Sequence, residues 1–302
     1  MILGSVIKKS FRKVIETPAI SLFFVLFLIL VNLLVSYTYS AQNKIVYIIL
    51  EFCLYAFLCV FLSGWFQAVK IAYKKEREEK TNLYSVFLEG VGKNIVKCAL
   101  SVLIYVALFI LVVYLAQHTA LRLFGDIGFV FKDIQNVSQD TTSLLEYFKQ
   151  LSDEQKYILY GWELCTIIAL SAFNFLFMFY FPCVFDERST KPLLRPISAI
   201  HKSIVFLFKN FLASSAIWLI VFVCYFVLMI LNVACASNQI LSVLCLLAFI
   251  YFVSFVIMLI FNYYETKSSP QFEIIEQKED NSSDRADRFG QDELSDKAGE
   301  ED

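Results

Sequence analysis

The chain has 302 residues, of which 58% are hydrophobic, 17% aromatic and only 18% charged, with a formal net charge of −2. This composition excludes a soluble domain, whose interior could not hide so much apolar surface, so lipid must cover part of it. Two histidines and eight cysteines, with no CxxC and no Cys/His cluster, predict neither a zinc site nor a disulfide framework; the cysteines read as small hydrophobes.

In residues 1–18, Lys8, Lys9, Arg12, Lys13 and Glu16 alternate with Leu3, Val6, Ile7, Phe11, Val14 and Ile15. That spacing puts charge on one helix face and apolar side chains on the other. Such a basic amphipathic helix lies in the headgroup layer, with Lys8, Lys9, Arg12 and Lys13 contacting anionic lipid headgroups. Pro18 then ends it where the chain turns into the bilayer. Six apolar stretches follow, at roughly 19–40, 45–66, 98–117, 157–183, 209–234 and 239–263, each long enough to cross about 30 Å of hydrocarbon as a helix. The first is too long, and lies too late, for a signal peptide's core, and is read as a span. With the N-terminus inside, 21 of the 26 Lys and Arg fall on inner segments, which predicts a cell-membrane protein with both termini cytoplasmic.

Between the third and fourth spans, the outer loop 118–156 carries two helix-start capping boxes, Ser143 to Glu146 and Ser152 to Gln155, which predict one or two short helices. Asn136-Val-Ser138 in the same loop fits a glycosylation sequon. After Ile275 large apolar residues almost vanish and the charge is net acidic. Such a segment cannot offset its chain entropy by burial. The expected organisation is a six-span membrane domain over 1–264 and an acidic, disordered cytoplasmic tail over 265–302.

Three stretches ahead of odd-numbered spans echo one another: "SVIKKSF" from Ser5, "SVFLEGV" from Ser85 and "SAIHKSI" from Ser198, the last including Lys202 as a further headgroup contact. The even spans echo too, with "EFCLYAF" from Glu51, "ELCTIIA" from Glu163 and "VLCLLAF" from Val243. The implied unit is an inner interfacial helix followed by a two-helix hairpin, repeated three times. The predicted fold class is an all-α polytopic membrane protein.

Glu51 and Glu163 are the most notable polar residues in the spans. Each lies seven residues past a basic residue, Lys44 and Lys156, or about 10 Å along a helix. An acid at that depth is costly unless protonated, paired or facing water. Asn32, Gln67, Asn174 and Asn232 are single amides on apolar helices, suited to interhelical hydrogen bonds. Together Glu51, Glu163, Asn32 and Asn174 form a candidate intramembrane polar site. The chain contains no HExxH, no Gly-rich phosphate loop and no GxSxG. The basic residues hug the spans without a stacking platform, which argues against nucleic acid as a partner.

Several stretches carry a family resemblance: "FRKVIETP" before span one, "GWFQAVKIAY" after span two, "LYSVFLEGVGKN" before span three and "FDERSTKPLLRPISAIHKSIVFLFKN" before span five. With these the chain resembles the membrane domain of bacterial glycerophosphodiester phosphodiesterases and its stand-alone six-span relatives of unknown function. The resemblance implies six spans over most of 1–264. No phosphodiesterase domain lies in these residues, so it implies no catalytic activity. The expected function is a non-enzymatic membrane scaffold or accessory protein without cofactor or metal, meeting anionic lipid and, through its acidic tail, a protein partner. The alternative is a transporter or channel for a small or lipid-like solute, using Glu51 and Glu163.

Overall fold

The computed structural model describes residues 2–40, 43–74, 82–128, 149–186, 194–235 and 238–268. Among them nine helices run in order: α1 (Ile2–Glu16), α2 (Pro18–Ser40), α3 (Lys44–Lys74), α4 (Leu83–Phe124), α5 (Asp153–Leu176), α6 (Tyr180–Phe185), α7 (Arg195–Lys209), α8 (Phe211–Cys235) and α9 (Gln239–Ser268). Six helical segments are long and apolar enough to cross a membrane, so the chain is an all-α, multi-pass membrane protein. The sequon, the capping box at Ser143 and the tail beyond Ser268 lie outside the described residues. The last helix, α9, runs to Ser268, four residues past the expected end of the membrane domain at 264.

The helix ends have local causes. Thr17, between α1 and α2, precedes a proline, a position that disfavours helical backbone, and Pro18 opens α2 where its missing N–H costs nothing. At Ser152 the expected capping box is present, with hydroxyl and Gln155 amide each satisfying a free backbone N–H. Two expectations are corrected. The stretch at Ser85 does not form a separate interfacial helix: it is the start of α4, whose 42 residues span about 63 Å, because no proline interrupts it. The fourth span is not continuous either. It breaks at Phe177–Phe179, since an unbroken helix would drive the Pro182 ring into the Met178 carbonyl; restarting at Tyr180 puts Pro182 in a first turn.

The threefold pattern has a physical counterpart. Counted from Ser5, Ser85 and Ser198, the same three offsets are buried in each copy: Val6, Ser10 and Val14; Val86, Gly90 and Asn94; Ala199, Ser203 and Leu207. Spacing of four residues puts each trio on one helix face. Each face meets the second span of the preceding unit. Gly90 lies against α3, and Asn94 Nδ2 donates to Gln67 Oε1 at 3.4 Å. Ser203 Oγ donates to the Leu176 carbonyl at the end of α5, at 3.4 Å. The first copy closes the circle on α9, where Asn262 Nδ2 donates to Ser10 Oγ at 3.0 Å and to the Val6 carbonyl at 3.4 Å.

At the centre of this ring Phe66 of α3 packs against Phe181 and Phe185 of α6 and Phe261 of α9, with ring centroids 5.1, 5.4 and 5.3 Å away. The core therefore sits at the end of the bundle that carries α1 and the C-terminal part of α9, called basal below. At the distal end the helices are mostly exposed: Lys44–Cys53 of α3, Phe222–Ala234 of α8 and much of Gln239–Ala248 of α9. The α4–α5 hairpin differs, because Gly161 faces the Phe124 ring and Ala116 and Ala120 are buried, letting those two helices approach closely.

Candidate functional site at the basal end

The sequence-derived candidates scatter. Glu51 on α3 and Glu163 on α5 are both exposed, and neither has a hydrogen bond or ion pair among the described residues. Val243, their counterpart in the third unit, is exposed as well. The three positions thus match in register, and each faces away from the protein. Asn32 donates to the Leu28 carbonyl of its own helix at 2.9 Å. Asn174 accepts a 3.3 Å bond from the Tyr105 hydroxyl of α4, and Gln67 joins Asn94, so these two amides do link helices. Asn232 is exposed.

On α1, Lys8, Lys9 and Arg12 are exposed, as is Lys202 on α7. Lys13 corrects the expectation of headgroup contact. It is only 7% exposed and lies 3.5 Å from Glu16. It sits next to Val14 on the protein-facing side of α1, where a cation needs a partner.

The structure gathers a different set of side chains beneath the aromatic core. Lys70 Nζ, on a buried residue of α3, donates to the Phe185 carbonyl at the C-terminus of α6 at 2.9 Å. One residue on, Asp186 Oδ2 accepts from the Tyr264 hydroxyl of α9 at 3.1 Å. Next to Tyr264, Glu265 pairs with Lys74 of α3 at 3.2 Å, which returns the path to its start. The three contacts form a closed triangle across α3, α6 and α9. Lys97 of α4 sits over the Phe185 ring, 4.9 Å from its centroid.

The sequence holds the parts of this triangle in separate places, with Lys70 and Lys74 one helical turn apart and Asp186 just past an aromatic run. Chain order cannot show that they meet, because the meeting depends on three units closing into a ring. Chemically the triangle is a clamp. Lys70 satisfies a helix-end carbonyl that would otherwise be orphaned, and the half-exposed Lys74–Glu265 pair is worth about 0–1 kcal/mol.

A second feature lies between α5 and α8. A groove of about 420 Å³ is lined by Ser171, Ala172 and Phe175 on one side and by Phe211, Ser215 and Trp218 on the other. Its walls are almost entirely apolar. Phe175 stands edge-on to both Phe211 and Trp218, with ring centroids 6.1 Å apart in each case. No family model, curated protein or solved structure is significantly similar to this chain.

Proposed function

We propose that this protein is a non-enzymatic scaffold or accessory protein of the cell membrane. Both termini and the basal end face the cytoplasm, and the exposed basic residues of α1 and α7 rest on anionic headgroups. Its outer loop and acidic tail meet protein partners. The orientation rests on the Lys/Arg asymmetry.

The observation that carries the reading is where the packing lies. A solute carrier needs a polar or wet route through the midplane, with its ionisable groups turned inward. Here the three second spans meet in a phenylalanine cluster with a polar clamp beneath it, while Glu51 and Glu163 stand on exposed faces. That arrangement suits a rigid basal platform with lipid-facing flanks.

Reconstitution tests it. Vesicles carrying the full chain and loaded with a pH-sensitive dye should leak protons no faster than empty vesicles, and the E51Q/E163Q double variant should match them. A pH-dependent flux that the double variant abolishes would replace the scaffold by a transporter.

A further inference from the structure

We infer that the groove between α5 and α8 is a binding site for one anionic glycerophospholipid of the basal leaflet. One acyl chain fills the groove, and the phosphate sits at Lys209. The occupant follows from depth, lining and charge together.

The groove lies near the basal end of the spans. Phe211 is the first residue of α8, and Phe175 is one residue from the end of α5. Lined by Phe, Trp, Leu and small side chains, with two serine hydroxyls among its few side-chain polar groups, it offers an acyl chain close contact and a polar solute little to bond with. Its basal rim is where the chain turns from α7 into α8 at Asn210. Lys209, the last residue of α7, is exposed there, and Lys202 is exposed two turns earlier on the same helix.

Beside them Leu212 is 84% exposed and Phe208 is 61% exposed, which marks this corner as embedded at the boundary between headgroups and acyl chains. A basic rim over an apolar slot between two spans is the arrangement by which intramembrane clefts hold anionic lipid headgroups. The site goes beyond the scaffold reading, which requires only general attraction to a charged leaflet. It depends on orientation solely for which leaflet supplies the lipid.

Trp218 on the groove wall is a built-in probe. The full-length chain is reconstituted in phosphatidylcholine vesicles with increasing dibrominated phosphatidylglycerol, or with dibrominated phosphatidylcholine, in both leaflets. The difference in fluorescence between the native chain and Trp218→Phe isolates the quenching of Trp218. Half-maximal quenching should occur at about a fivefold lower mole fraction of the anionic lipid, the effect of one lysine at an anionic group. Lys209→Gln should erase that preference. Ala172→Leu, which fills the groove at an exposed position, should weaken quenching by both lipids while leaving the thermal unfolding midpoint unchanged. Equal quenching by the two lipids, or a preference that survives Lys209→Gln, would overturn the site. Because the brominated lipid is in both leaflets, these outcomes do not depend on membrane orientation or on proton flux, so the site and the scaffold reading can fail separately.

Discussion

Gly90 is where the ring of units admits least change. It lies at the middle buried position of the second copy, pressed against α3. A Cβ added there would lie 2.6 Å from Gln67 Cβ and 3.0 Å from the Ser63 carbonyl oxygen. Carbon atoms in comfortable contact sit about 3.5–4.0 Å apart. Both obstructing atoms belong to, or adjoin, the α3 backbone, so no rotamer change removes the clash and α3 and α4 must separate locally. Overpacking of this kind costs about 1–3 kcal/mol.

The substitution also has a benefit, since alanine is favoured over glycine in a helix by about 1 kcal/mol. Gly92 separates the two effects. It lies on the same helix with nothing within 4 Å of an added Cβ, so Gly92→Ala carries the propensity gain alone. Comparing Gly90→Ala with Gly92→Ala cancels that gain and leaves a difference of about 1–3 kcal/mol, with Gly90→Ala the less stable. Reversible unfolding in detergent, followed by helical circular dichroism or tryptophan fluorescence, measures it. If the two alanine variants unfold together, the close approach of α3 and α4 at Gly90 is wrong, and with it the shared burial register of the three copies.

Other expectations follow from the same architecture. Asn262→Leu removes the donor that ties α9 to Ser10 and Val6 and should cost about 1–3 kcal/mol in the same assay. Adding Ser10→Ala should cost less than it does alone, because the two side chains share one bond; simple additivity would mean they are not coupled. Reporter fusions placed after Glu265 and inside the 118–156 loop should report opposite sides of the membrane, and agreement between them would overturn the six-span topology. Deleting residues 271–302 should leave the unfolding midpoint of the purified protein unchanged; a large fall would mean that the tail packs on the membrane unit.

What the sequence determined by itself was set by local rules and by the solvent. Lipid tests the length and mean hydropathy of a segment, so six spans are legible from runs of Phe, Leu, Ile and Val. The cap at Ser152 is legible because both of its partners lie within one turn, and the restart before Pro182 could have been read from that proline alone. The repeat was visible as three short echoes. What they do was decided by the tertiary structure: each buried trio seats on the span of a neighbouring unit, and the first unit closes on the third through Asn262. The same closure turned Lys13 inward and brought Lys70, Lys74, Asp186, Tyr264 and Glu265 into one clamp. The physical reason lies in the solvent. In water a helix shows its buried face by being apolar there, but in lipid both the face that meets protein and the face that meets acyl chains are largely apolar. The protein-facing side differs by small or singly polar residues, such as Gly90, Asn94 and Ser203, whose partners come into reach only when the neighbouring helix is in place.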